Sequence, residues 1–309
     1  MIALCFDIGG SKYRAALITE RGELLCSQRY TWETLTADGV LQALITAGQD
    51  LLHAHPQFPP DVIGVTIPGL TRPEQGLWVE ASFSGIHDFP IAKRLREAFS
   101  LPVYTENDAK ACALAEKLFG GAQDADHFLY LTVSNGVGGA VFSDGRLLYG
   151  SGAAGECGHV TVVESGRPCK CGKRGCLEVY AAGPGMTQTY TELTGTPLQG
   201  KELAALARQG DQSALEVFRL EGVYLGRVIG MAVNLLNPQR VIIGGGLSLA
   251  MDVYGQELKK TVADHIYQSA NPRLQIIPSP LKENGGLYGA AALAVCGIHN
   301  LYGYHGKAV

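Results

Sequence analysis

One imidazole and three thiols stand within eighteen residues of this chain, at His159, Cys169, Cys171 and Cys176. That donor set suits a closed tetrahedral zinc site, which is structural because it leaves no coordination position for water. Gly172 and Gly175 let the backbone turn tightly enough for the sulfurs to converge. A disulfide is the rival reading. It would leave one of the three clustered cysteines over, and Cys169 and Cys171 are too close in sequence to bridge each other without strain. Redox chemistry is the weaker alternative. Glu156 stands three residues before the histidine and Glu178 two residues after the last cysteine, so a metal that fixes the ligands fixes these carboxylates as well. Cys5, Cys26, Cys112, Cys157 and Cys296 lie scattered in apolar settings and read as ordinary buried thiols.

Three glycine-bearing loops offer a second kind of chemistry. They are Asp7-Ile8-Gly9-Gly10-Ser11-Lys12, Ser134-Asn135-Gly136-Val137-Gly138-Gly139 and Gly244-Gly245-Gly246, each following an apolar run. Successive backbone amides in such loops can face phosphate oxygens, and Asp7, at a strand end, is placed to hold water on a magnesium ion. Taken singly, each loop reads equally well as a plain turn. Asp108 begins an alanine-rich helix directly after a strand; an aspartate there is an N-cap, a role that does not preclude catalysis.

The elements that position these residues follow from periodicity. Runs at 2–6, 13–19 and 24–30 predict three antiparallel strands, 37–54 a helix, and 62–67 a buried strand. Residues 71–90 read as an irregular, partly polar loop containing Trp78, Ser82, Ser84 and His87. A helix is predicted over 91–99, a strand over 103–105 and a helix over 109–118. The pattern of strand, glycine loop, strand, turn and strand then recurs from Phe128 to Tyr149. Helices are expected over 201–208, 214–236, 253–263 and 287–295, with strands at 240–243 and 274–277. The recurrence suggests two halves of one design, with a cleft between them bordered by strand ends.

At 309 residues with 46% apolar content, the chain can build two domains with cores of their own. Only 17% of residues are charged and the net charge is −4, so no basic field for nucleic acid or an anionic membrane is present. Eight cysteines without an exporting segment suggest a reducing compartment, and no apolar run approaches bilayer-crossing length. A soluble cytoplasmic protein is expected.

The chain resembles the ROK group of sugar kinases and repressors, within the hexokinase- and actin-like superfamily. The resemblance rests on DIGGSK at 7–12, IPG at 67–69, END at 106–108, SNGVGG at 134–139, ECGH at 156–159, CKCGKRGCLE at 169–178 and IIGGG at 242–246. It implies an α/β architecture of two ribonuclease-H-like domains closing over the substrates, with an interdomain cleft and a structural zinc knuckle at 159–176. The expected boundaries are 1–118 and 119–286, with a closing helix from about 287 packing back on the first domain. By position, Asp108 matches the catalytic base, and Gly69, Ser82, Asn107, Glu156, His159 and Glu178 match sugar-binding residues. Asp7, Gly9, Gly10, Ser11, Lys12, Ser134, Asn135, Gly136, Gly244, Gly245 and Gly246 fall in loops that resemble the family's ATP and magnesium contacts.

Two positions depart from the family pattern: Asn135 stands where many relatives have threonine, and Ser82 where many have asparagine. The repressors carry an N-terminal helix-turn-helix for which Asp7 leaves no room, so no nucleic-acid partner is expected, and neither is a membrane partner. The expectation is an ATP-dependent kinase acting on the 6-hydroxyl of glucose, N-acetylglucosamine or N-acetylmannosamine, with Mg2+ and structural Zn2+, assembled as a homodimer. A catalytically silent sugar sensor of the same fold is the alternative. A hydrolytic zinc enzyme fares poorly because four protein ligands leave the metal closed.

Overall fold

The computed structural model describes residues 1–81 and 84–308. In chain order the first stretch comprises β1 (Ile2–Ile8), β2 (Lys12–Thr19), β3 (Leu24–Thr31), α1 (Ala37–Ala54), β4 (Val62–Ile67), β5 (Leu70–Arg72), β6 (Leu77–Glu80), β7 (His87–Phe89), α2 (Ile91–Phe99), β8 (Val103–Asn107) and α3 (Asp108–Leu118). Then come β9 (Phe128–Val133), β10 (Val137–Ser143), β11 (Arg146–Leu147), α4 (Glu178–Ala181), α5 (Gly183–Thr194), α6 (Gly200–Arg208), α7 (Gln212–Leu236), β12 (Arg240–Gly244), α8 (Met251–His265), β13 (Gln275–Pro278) and α9 (Gly285–His299). Backbone contacts divide the chain into two compact units. The first gathers Met1–Asp124, Gly145–Ala154 and the chain from Asn284 onward; the second holds Ala125–Asp144 and Gly155–Glu283.

In the first unit the sheet order is β3-β2-β1-β4-β8. The β1–β2–β3 meander is antiparallel, while β4 and β8 run parallel to β1. Every residue of β4 is buried, as its unbroken apolar run requires of a central parallel strand. Helix α1 covers the sheet with Val40, Leu41, Leu44 and Leu51, and Thr36 caps it by accepting from the Gly39 amide at 3.2 Å. Helix α9 is rich in alanine and glycine because it packs on α3 and on β4 at backbone distance: a Cβ on Gly64 would overlap the Ala290 carbonyl. The 145–154 segment is held in this unit by Leu147, whose amide donates to the Tyr302 carbonyl at 2.8 Å, and by Tyr149, described below.

The described residues between 71 and 90 are more ordered than expected. Strands β5, β6 and β7 form a small antiparallel sheet there. Trp78 is its anchor: the indole is fully buried and its Nε1 donates to the Pro68 carbonyl at 3.1 Å. The strands are three or four residues long, too short for their alternation to stand out in the sequence.

In the second unit the order β10-β9-β12-β13 repeats β2-β1-β4-β8 strand for strand, antiparallel in the first pairing and parallel in the next two. The internal repeat is therefore topological. Strand β10 begins at Val137, three residues earlier than expected, because Gly138 and Gly139 pair with β9. Helices α4 and α5 were not foreseen. The sequence of α5, GPGMTQTYTELT, has poor intrinsic helix propensity. It forms with Pro184 at its start and with Met186 and Tyr190, one turn apart, buried in the core. Helices α7 and α8 pack through Gly222, Gly226 and Gly230, whose added Cβ atoms would lie 2.6–2.9 Å from Leu258, Thr261 and His265. No helix among the described residues is long and apolar enough to cross a membrane.

Beside that seam, Glu221 is buried, and its Oε1 has no hydrogen-bond partner; the same holds for the Tyr254 hydroxyl. Burial pushes the Glu221 carboxyl well above its ordinary range. Between the ordinary carboxylate range and its folded value, the folded state holds a proton that the unfolded chain has released, so stability falls as pH rises across that interval. Glu221→Met removes both the unsatisfied acceptor and the proton linkage. It is expected to raise stability at pH 8 by about 1–3 kcal/mol and to flatten the decline above pH 5, as measured by denaturant unfolding at several pH values.

Candidate active site

In the first unit the parallel strands β1, β4 and β8 end side by side, with Asp7 paired to Thr66 and Ile67 paired to Asn107. Asp7, the Gly9–Lys12 turn, Gly69, Asn107 and Asp108 therefore share one edge of the sheet, the edge where open α/β sheets bind ligands. The Asp7 carboxylate accepts from Arg14 Nε at 3.2 Å and from the Thr66 hydroxyl at 3.1 Å. The turn after it closes with the Gly9 amide on the Lys12 carbonyl at 3.0 Å and is held from outside by Trp32, whose Nε1 donates to the Gly9 carbonyl at 2.8 Å. Ser11 and Lys12 are left exposed.

Asn107 is the N-cap of α3. Its Oδ1 accepts from the Ala109 and Lys110 amides at 3.0 and 3.2 Å, and its Nδ2 donates to the Gly69 carbonyl at 3.0 Å. The side chain is thus largely spent on locking two loops together. Asp108 follows at the first helical position, half-buried, with Oδ1 accepting from the Ala109 amide at 2.8 Å. Gly69 has φ +90 and lies against the Glu80 carbonyl, so no other residue fits there. Ser82 lies outside the described residues.

In the second unit the loops after β9 and β12 end next to each other, since Gly244 pairs with Thr132. Ser134 and Asn135 are exposed. Glu178, the first residue of α4, reaches back to this loop: its Oε2 accepts from the Val137 amide at 3.0 Å, and a Cβ on Gly136 would sit 2.8 Å from the same oxygen. A candidate sugar carboxylate and a candidate phosphate loop are therefore one assembly. Gly245 has φ +76 and fits against the Val133 carbonyl, which brings the Gly244–Gly246 turn beside the 134–136 loop.

The metal candidate closes in the same unit. The ligand atoms of His159, Cys169, Cys171 and Cys176 all lie within 4.8 Å of one another. Cys169 Sγ is 3.7 Å from His159 Nδ1 and Cys171 Sγ is 3.6 Å from Cys176 Sγ. Zn–S bonds of about 2.3 Å set tetrahedral edges of about 3.8 Å, so the donor set fits zinc. With Nδ1 turned to the sulfurs, His159 Nε2 faces Glu156, 3.9 Å away, as an outer carboxylate that orients a metal-bound imidazole. Backbone pairings of Thr161 with Cys176 and Pro168 with Arg174 shape the knuckle. Gly175, at φ +76, is pressed against the Val163 carbonyl where any side chain would clash.

Two contributors escaped the sequence reading. Arg167 ties the knuckle to α4 and α5: it donates to the Val179 and Gly185 carbonyls at 3.2 and 3.0 Å, pairs with Glu192 at 2.6 Å and lies over the Tyr180 ring. Its signal was only a basic residue two places before Cys169. Glu106 is fully buried behind Asn107 and Asp108. Burial pushes its carboxyl upward, opposed by Lys110 and by hydrogen bonds from Tyr149, the Asn107 amide and Thr71. A strand-terminal glutamate carries no local mark that distinguishes a buried carboxylate from an exposed one.

Comparison with known proteins supplies the family. The model of the ROK family matches residues 3–296. A glucokinase from Thermotoga maritima is 32% identical, the alignment covering 93% of this chain and 95% of that protein. The structure of a ROK family glucokinase from Streptomyces griseus, in complex with glucose and AMPPNP, superposes with a TM-score of 0.87 at 28% identity, covering 96% of this chain and 100% of that one. The xylose repressor of Bacillus subtilis is 28% identical over 94% of this chain and 76% of its own length. The chain belongs to the ROK family and has its hexokinase-type α/β fold.

Zinc in the knuckle is expected to be measurable at about one ion per chain by elemental analysis. Cys176→Ser should lose it and lower Tm by at least about 2–4 °C, the shift that a loss of about 1 kcal/mol produces in a protein of this size. A variant that keeps full thermal stability without metal would remove zinc from the account of this site.

Proposed function

We propose that this chain is an ATP-dependent sugar kinase that transfers the γ-phosphoryl group to the 6-hydroxyl of a hexose or N-acylhexosamine. The observation that carries the reading is Asp108 at the β8–α3 turn, placed by the Asn107 cap beside Gly69 and the Asp7 strand end. Sequence likeness to a glucokinase and structural likeness to a ROK glucokinase crystallised with glucose and AMPPNP support it.

In this mechanism Asp108 accepts the proton of the attacking hydroxyl. A carboxylate is a weak base against an alcohol. Its main contribution is therefore to aim the oxygen, and proton transfer runs late. Glu156, His159, Glu178 and the remaining Nδ2 hydrogen of Asn107 bind sugar hydroxyls, and Gly69 and Ser82 are assigned to the same role. Discrimination among epimers follows because a carboxylate that the bound sugar shields from water and leaves without a hydroxyl partner is costly. The backbone of Gly9–Lys12, Ser134–Gly136 and Gly244–Gly246 receives the nucleotide phosphates, with the Lys12 ammonium adding charge and Asn135 donating where a hydroxyl is more common in relatives. Asp7 would hold the water shell of Mg2+, which would supply positive charge to offset that of the transferring phosphoryl group. Zn2+ in the knuckle has a structural role, holding the segment that carries Glu156 and Glu178. The proposal extends to a cytoplasmic homodimer.

A second reading is a catalytically silent sugar sensor; the similarity to a repressor supports it. A coupled ADP-release assay over hexoses and N-acetylhexosamines separates the two. Activity on at least one sugar is expected, and none on any sugar would favour the sensor. Asp108→Asn should lower kcat by about 10²–10⁴-fold while sugar binding, followed by calorimetry, changes little. Unimpaired turnover by that variant would refute the assignment of the base.

A further inference from the structure

Behind the Asn107–Asp108 turn, the Glu106 carboxylate gathers three segments that the sequence separates widely. Its Oε1 accepts from the Thr71 hydroxyl at 2.9 Å and from the Asn107 amide at 2.7 Å; its Oε2 accepts from the Tyr149 hydroxyl at 2.7 Å. Thr71 lies two residues beyond Gly69, so the loop with Gly69 and the turn with Asp108 are tied to one side chain. Lys110 supplies the compensating charge: its Nζ donates to the Gly152 carbonyl at 2.8 Å and stands 5.5 Å from the centre of the Tyr149 ring.

Tyr149 is itself held by the C-terminal segment. The His305 imidazole stacks on its ring with centroids 3.9 Å apart and planes 9° from parallel. One residue earlier, the buried Tyr304 hydroxyl donates to the Thr105 carbonyl at 2.8 Å, on the strand that leads into Glu106. Tyr302 accepts the Leu147 amide at 2.8 Å, two residues before Tyr149. A fully buried carboxylate is a poor choice for stability alone, because apolar replacements of buried ionic groups are often neutral or stabilising. A carboxylate that accepts from three directions is, however, well suited to fixing the relative placement of three segments.

We propose that residues 302–305 form a strap that sets the aim of Asp108 through Tyr149 and Glu106, with Glu106 and Tyr149 as positioning residues. This inference rests on the kinase reading for its catalytic consequence, though the positioning itself can be measured without turnover. Pre-organisation of the turn is the physical content: a misplacement on the order of 1 Å at a reacting group can cost about 10²-fold.

The test uses the full chain with Tyr149→Phe, His305→Ala, the two combined, and Glu106→Gln. In the ADP-release assay, corrected for folded fraction by circular dichroism, Tyr149→Phe is expected to lower kcat about tenfold or more while KM for ATP changes by less than about twofold. His305→Ala should lower kcat by a smaller factor, and the double variant should be no slower than Tyr149→Phe, because both act through one hydroxyl. Hydrogen exchange of the amides of residues 107–110 should quicken about tenfold in Tyr149→Phe. An unchanged kcat, or single effects that multiply in the double variant, overturns the strap. If Tyr149→Phe does not fold, the exposed His305 and the isosteric Glu106→Gln carry the same comparisons. Absence of ADP release by the wild-type chain on every sugar defeats the kinase reading alone; the strap then stands or falls on the exchange rates, and unchanged exchange at 107–110 overturns it.

Discussion

The organisation of the first unit depends on parallel register. Strands β1, β4 and β8 are hydrogen-bonded in parallel and stop at nearly the same level, so residues distant in sequence, Asp7, Gly69 and Asn107, arrive on one edge. A parallel sheet requires crossovers between its strands, and here α1 and α2 supply them, leaving the opposite edge to plain connections. The side chains at the ligand edge are then fixed by short-range capping: Asn107 satisfies α3 and the Gly69 carbonyl simultaneously. Helix propensity, cap chemistry and loop closure point the same way, which gives the turn one preferred conformation.

The second unit reaches comparable order by a different route. Much of the 155–178 stretch lacks regular secondary structure, so its conformation relies on backbone bridges, glycines at positive φ and a donor set that converges on one point. Arg167 substitutes for missing helix ends by donating to two carbonyls while its charge is met by Glu192. Glu178 links this irregular stretch to the loop after β9 through a single accepted hydrogen bond. The convergent donor set, arginine and glutamate therefore act in series, and each presents the next.

Much of this was legible in the residues. The strand runs, the α1 and α2 stripes, the three glycine loops and the ligand spacing of the knuckle all have local signatures, and the family resemblance ordered them. The small β5–β6–β7 sheet did not, since strands of three or four residues cannot display a period. Helix α5 was hidden by a sequence of glycine, proline and threonine whose helicity comes from tertiary packing of Met186 and Tyr190. The burial of Glu106, quoted only as part of the END motif, and the role of Arg167 were hidden for another reason: burial and hydrogen-bond number are properties of neighbours distant in sequence, Tyr149 for the one and Thr189 with Glu192 for the other. The bond from Asn107 to the Gly69 carbonyl belongs with them, because it joins residues 38 positions apart.

The glycine seam between α7 and α8 has a mechanical corollary. Because α7 presents bare glycine backbone directly to Leu258, Thr261 and His265 of α8, the contact leaves little room for sliding, so the two helices resist shear and behave as a single lever. Strand β12 connects them in the chain and ends in Gly244. Any displacement of that turn would then have to be carried by the whole helix–strand–helix block, which makes the block the natural stiff member if the second unit flexes elsewhere.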